Sequence, residues 1–147
     1  MALKIIAWVL ASVIGAILYR MGGADKPYNT KCRDFGCPTV AVILMTILIG
    51  WHWVYIACFG LFFAALTTYW KKKGTNGTIW TWSLTGFAYA VSWLPYTILS
   101  GHWLGFSIRV VIVTGMVLFD MYQVKNAVWS ECARGAICIA TLPLLLI

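Results

Sequence analysis

The sequence is poor in charge and has no long polar stretch. Charged residues make up 10% of its 147 residues, and only four are acidic, whereas 62% are hydrophobic. Soluble domains carry roughly 25% charged residues, so this composition argues against a water-soluble fold with a polar surface. It predicts one polytopic transmembrane domain over residues 1–147, with most of its surface facing lipid.

Metal ligands and catalytic groups are also scarce. Cys32 and Cys37 are separated by four residues, which is not the close spacing of a zinc knuckle, and no histidine lies in the same loop. Cys58, Cys132 and Cys138 are typical of small apolar residues that pack in or near helices. No activated nucleophile is recognisable. The sequence therefore predicts no metal site, no cofactor and no catalytic residue.

Apolar runs separated by short polar segments fill the chain. They are Leu3–Tyr19, Pro38–Trp70, Ile79–Leu99, Trp103–Phe119 and Cys132–Ile147. The second run is too long for one ordinary helix, and Gly50-Trp51-His52-Trp53 near its middle favours a turn. We expect an all-α membrane protein, a compact bundle of about six short transmembrane helices. The number falls to five if Pro38–Trp70 is one helix.

The distribution of charge favours six helices. With six, most of the lysines and arginines fall on one side, namely Arg20, Lys26, Lys31, Arg33, Lys71, Lys72, Lys73, Lys125 and Arg134. Lys4 lies opposite them, and all four acidic residues share the basic side. Basic loops stay in the cytoplasm. We therefore expect a multi-pass protein of the bacterial inner (cytoplasmic) membrane with both termini periplasmic.

The net charge of +7 indicates lipid as the partner. Lys71-Lys72-Lys73 follows a helix end, where lysines anchor topology and attract anionic lipids. No basic and aromatic face typical of nucleic-acid binding is present. The predicted partners are the lipid bilayer, anionic lipids and further copies of the chain in a homo-oligomer, with no nucleic acid.

Polar residues on the cytoplasmic side form a candidate binding face. They are Arg20, Asp25, Asn29, Lys31, Arg33, Asp34, Glu131 and Arg134. Arginines beside a glycine-rich turn suit a phosphate group such as a lipid headgroup. Alternatively, these charges pair with one another and fold the loops.

Arg109 lies about two turns into the run Trp103–Phe119, where a charge costs at least about 2.5 kcal/mol unless it is hydrated or paired. Polar residues of other helices are candidate partners, namely Thr67, Thr68, Tyr69, Ser83, Thr85, Tyr89 and Ser92. A water-filled pathway would also satisfy it. The alternative is a side chain that snorkels to the membrane edge.

Two turns share a His-Trp pair, His52-Trp53 and His102-Trp103, each preceded by a glycine. One interpretation is a degenerate repeat with two histidines acting as ligands or proton-responsive groups. The other is a glycine turn whose aromatic side chains lie among lipid headgroups.

Five short motifs extend across most of the chain. They are Tyr19-Arg20-x-Gly22-Gly23, Asn29-Thr30-Lys31-x-Arg33-Asp34-x-Gly36-Cys37-Pro38, Thr68-Tyr69-Trp70, Glu131-x-x-Arg134-Gly135-Ala136 and Leu142-Pro143. Together they resemble an uncharacterised family of small integral membrane proteins found in tailed phages and prophages. The resemblance implies a phage or bacterial inner-membrane setting and supplies no catalytic residues. Lys71-Lys72-Lys73 stands where related members have an acidic or aromatic loop.

Two functions follow as expectations. In the first, the chain acts without catalysis as an oligomeric membrane component that alters permeability or blocks another membrane process, as a holin-like protein, a channel or a superinfection-exclusion protein does. In the alternative, it is a membrane enzyme or transporter that handles a phosphate-bearing lipid or solute at the cytoplasmic face. The first is favoured because the charges can largely satisfy one another and no nucleophile can be assembled.

Overall fold

The computed structural model describes residues 1–21, 35–73, 87–123 and 128–147, and within these ranges all regular structure is helical. The helices are α1 (Ala2–Met21), α2 (Cys37–Ile49), α3 (Val54–Lys73), α4 (Leu94–Ser100), α5 (Trp103–Gln123) and α6 (Val128–Ala140), followed by a 3₁₀ segment at Leu142–Leu146. Residues 87–91 are also helical and lead through a turn into α4. The predicted all-α fold is therefore confirmed for these ranges.

Glycines end two helices where the sequence predicts turns. Gly50 has φ +92° and Gly101 has φ +75°, backbone conformations that favour a residue without a Cβ. The prediction that Pro38–Trp70 divides near Gly50 is confirmed, because α2 ends at Ile49 and α3 begins at Val54. A glycine turn is also present at both His-Trp segments, whereas the position of their aromatic side chains among lipid headgroups stays a prediction.

The C-terminal third differs from the prediction. The polar segment from Asp120 to Glu131 was expected to separate two helices, yet α5 continues to Gln123 and α6 already begins at Val128. The last helix also ends at Ala140 and not at the chain end, because Pro143 lacks the N–H that an α-helix needs.

Close packing joins α1 to α6. A Cβ on Gly15 would lie 2.5 Å from Ile139 Cγ1, and a Cβ on Gly135 would overlap the Gly15 carbonyl oxygen. Small residues allow helix backbones to approach in this way. Ala11, Gly15 and Tyr19, spaced four residues apart, are the buried positions of α1. This pairing places the first and last helices of the chain side by side.

The two glycine turns lie near the C-terminal segment. Val54 and Tyr55, just after the first turn, share a buried cluster with Leu142 and Leu145. The Tyr55 ring lies 6.1 Å from that of Tyr96 in α4. A Cβ on Gly105, just after the second turn, would overlap the Leu144 carbonyl. The chain end therefore lies beside the starts of α3 and α5. This is the arrangement expected when successive helices run in alternating directions.

Among the described residues, one helix, Ala2–Met21, is long and apolar enough to cross a membrane. Shorter apolar helical stretches occur at Cys37–Ile49, Val54–Ala65, Trp103–Met116 and Cys132–Leu146. Length and composition thus identify one candidate span. The crossing of a bilayer by the other helices remains a prediction.

Candidate functional site: an arginine enclosed by helix ends

Arg109 projects from the second turn of α5 into the interior, and its side chain is 1% exposed. The neighbouring Val111 on the same helix is 70% exposed, so α5 buries the face that carries the charge. A snorkelling side chain would reach the surface. The snorkelling interpretation is therefore wrong, and the charge must be satisfied inside the protein.

The guanidinium donates four hydrogen bonds. Nη1 donates to the carbonyl oxygens of Tyr89 at 3.3 Å and Ala90 at 3.2 Å. Nη2 donates to the carbonyl oxygen of Cys138 at 2.8 Å, and Nε donates to Thr141 Oγ1 at 3.2 Å. These partners are backbone carbonyls and one hydroxyl. Tyr89, one of the candidates named from the sequence, contributes its backbone carbonyl. The side chains of Thr67, Thr68, Tyr69, Ser83 and Thr85 lie outside the described residues.

Chain breaks make these carbonyls available. Tyr89 and Ala90 belong to the helical residues 87–91, which end in a turn before α4. Pro95 lies at the start of α4 and has no N–H to continue the helical ladder. Cys138 lies in the last turn of α6, whose final four carbonyls have no partner within the helix. Arg109 therefore bonds two helix ends at once.

Helix ends also offset the arginine's charge. The C-terminal end of an α-helix carries roughly half a negative charge, concentrated on its last carbonyls. Arg109 contacts such carbonyls at Ala90 and Cys138, so two partial charges face one guanidinium. Two helix ends thus stabilise the positive charge of a guanidinium inside the protein. We call Arg109, its three carbonyl partners and Thr141 the arginine clamp.

Thr141 extends the clamp into α6. Its Oγ1 accepts from Arg109 Nε and donates to the Ile137 carbonyl at 2.6 Å. The carbonyl of Ala140, the last residue of α6, accepts from Trp8 Nε1 of α1 at 2.9 Å. The end of α6 is thus held by side chains of α1 and α5. The roles of Thr141, Cys138 and Trp8 could not be predicted from the sequence, because they depend on where α6 ends.

A small cavity of about 20 Å³ adjoins Arg109, with room for about one water molecule. Three cysteines line it, Cys37, Cys58 and Cys138, and all three are buried. The Cys37 thiol donates to the Gly15 carbonyl at 3.8 Å. The packing role predicted for Cys58 and Cys138 is confirmed, and Cys132 is half-buried. Cys32 lies outside the described residues.

The predicted polar face is described only in part. Arg20 is exposed at the end of α1, and Arg134 in α6 is 7% exposed, with its guanidinium carbon 6.0 Å from the Tyr19 ring centre. The side chains of Asp25, Asn29, Lys31, Arg33, Asp34 and Glu131 lie outside the described residues. Within the described ranges, no group of three or more histidine, cysteine or acidic side chains could hold a metal ion.

The two histidine turns differ in their hydrogen bonds. In the first, His52 Nδ1 accepts from the backbone N–H of Val54 at 3.1 Å. In the second, the backbone N–H of His102 donates to Ser100 Oγ at 3.5 Å. The His102 ring accepts no hydrogen bond from the described residues. The sequence repeat therefore does not correspond to a repeated site.

Comparison with known proteins gives no family assignment: no protein-family model, no curated protein and no solved structure matches this chain.

Proposed function

We propose that the chain is a polytopic protein of a bacterial inner membrane, of phage type, that acts without catalysis. It oligomerises in the bilayer and alters permeability or blocks another membrane process. Its helices cross the bilayer, and its basic loops face the cytoplasm. The motifs that resemble small phage and prophage membrane proteins support the phage setting.

The apolar exterior carries this proposal. Leu3 of α1 is 73% exposed, Ile56 of α3 is 64% exposed and Val111 of α5 is 70% exposed. Soluble monomers rarely expose contiguous apolar patches larger than a few hundred Å². Lys4 and Arg20, the charged residues of α1, lie near its two ends and are exposed. An apolar helix with charges at both ends suits a bilayer with polar surfaces on either side.

The arginine clamp supports a structural role for Arg109. Its four hydrogen bonds join the ends of two helices, and the adjoining cavity has room for about one water molecule. A continuous aqueous pathway past Arg109 would need a wider opening. We therefore place the permeability pathway between copies of the chain, with Arg109 holding each copy together.

Membrane integration is the first test. Membranes from bacteria that express the chain are washed with alkaline carbonate and with urea, and then extracted with detergent. A protein that spans the bilayer stays in the pellet after both washes and dissolves only in detergent. Release of folded protein by either wash would refute the proposal.

Permeability is tested in the same cells by potassium efflux and by uptake of a membrane-impermeant dye. Val111→Ala, an exposed substitution on α5, is the matched control for expression and insertion. Leakage in the wild type and in this control would support the permeability role. Intact membranes at equal insertion would refute it and leave the blocking role, which is measured as the plating efficiency of superinfecting phages.

A further inference from the structure

The turn between α2 and α3 is closed by two side chains. The Tyr55 hydroxyl donates to the Gly50 carbonyl at 2.9 Å, while His52 Nδ1 accepts from the N–H of Val54 at 3.1 Å. Val54 is the first residue of α3, so its N–H is one of the four that a helix start leaves without an internal partner. His52 therefore caps α3 from two residues before its start, by accepting the N–H of the first helical residue.

This cap depends on the protonation state of the imidazole. Nδ1 can accept only while it carries no proton, so the proton of the neutral ring is on Nε2. An imidazolium carries protons on both nitrogens and has no acceptor to offer. It would also face the positive end of the α3 dipole. Protonation of His52 thus removes the cap and adds a repulsion.

The aromatic rings around His52 do not compensate for that loss. The titratable ring beside it is Tyr55 at 6.4 Å, and Tyr96 lies behind Tyr55 at 6.1 Å. Trp53, at 5.6 Å, does not titrate. No ion pair joins His52 to any described residue of the elements around the turn. His52 is exposed, so protons reach it directly.

We infer that the α2–α3 turn is an acid-sensitive latch, in which neutral His52 holds the start of α3 and protonation releases it. Histidines change charge between about pH 5 and pH 8. Because the closed turn binds one proton fewer than the open turn, the closed state gains stability as pH rises. This inference requires only the turn geometry and holds independently of the proposed membrane function.

The chain supplies a matched control. His102 occupies the other His-Trp turn, and its ring caps no helix. His52→Asn replaces Nδ1 with a side-chain oxygen that accepts a hydrogen bond and does not titrate, whereas His102→Asn removes the other histidine. Amide hydrogen exchange at residues 54–57 is measured for the wild type and both variants in detergent. Comparison at equal pH cancels the intrinsic pH dependence of exchange.

At about pH 8 we expect similar exchange in all three proteins, because the turn is closed in each. At about pH 5 the wild type and His102→Asn should exchange roughly fivefold faster than His52→Asn, the effect of losing one helix cap. Parallel pH profiles in the wild type and His52→Asn would overturn the inference. So would loss of the pH dependence in His102→Asn.

A measurement on the wild type alone covers the case in which His52→Asn does not fold. Nitrogen NMR of ¹⁵N-histidine-labelled protein distinguishes the two neutral tautomers of His52 at about pH 8. The latch requires Nδ1 without a proton. A His52 ring with its proton on Nδ1 would overturn the inference.

Discussion

Replacing Arg109 with methionine removes the charge of the arginine clamp and keeps a long apolar side chain. Four hydrogen bonds from a charged donor stabilise the fold by about 1.5 kcal/mol each, or about 6 kcal/mol. Placing an arginine in an apolar interior costs about 2.5–3.5 kcal/mol. The difference predicts that Arg109→Met lowers the free energy of unfolding by about 3 kcal/mol, roughly a hundredfold in the equilibrium constant.

Unfolding by sodium dodecyl sulfate in mixed micelles measures this difference. Val111→Met adds the same side chain at an exposed position of α5 and should change the unfolding free energy by less than about 0.5 kcal/mol. Arg109→Lys retains the charge but loses the planar guanidinium group that bonds two helix ends. We therefore expect this variant to be less stable than Arg109→Met, because its charge is buried with fewer hydrogen bonds. A methionine variant as stable as the wild type, or a lysine variant as stable as either, would refute the clamp.

Three further substitutions test the packing and the turns by the same unfolding measurement. Gly135→Ala should lower stability by about 1–3 kcal/mol because its Cβ overlaps the partner helix, whereas Gly60→Ala, with open space around it, should not. Equal effects would contradict the close α1–α6 packing. Thr141→Val removes the Arg109 Nε partner and should cost about 1 kcal/mol. If the stability losses of Thr141→Val and Arg109→Met simply add in the double variant, the two side chains do not interact. Gly50→Ala, at φ +92°, should cost about 1 kcal/mol, and a neutral result would contradict the turn conformation.

Local sequence signals predicted the helix ends that glycine enforces, but not the breaks next to Pro95 and Pro143. Gly50 and Gly101 adopt backbone conformations that other residues avoid, so the two turns follow from the residue type alone. The polar composition of a segment predicted the helix ends less well. The segment from Asp120 to Glu131 is helical at both of its described ends, because a polar side chain leaves the backbone N–H and C=O groups able to form helical hydrogen bonds.

The apolar composition fixed the helical class of this protein, and the depth of Arg109 within an apolar run showed that a charge had to be satisfied. The identity of its partners did not follow. Hydrogen-bond partners on Tyr89, Ala90 and Cys138 are backbone carbonyls, which every residue carries, so no side-chain pattern marks them. They become available only where helices end, and they reach Arg109 only because α5, α6 and the residues before α4 pack against one another. Likewise, His52 and His102 have similar neighbours in sequence, yet only the first caps a helix, because a ring's hydrogen bond depends on its orientation in the folded turn.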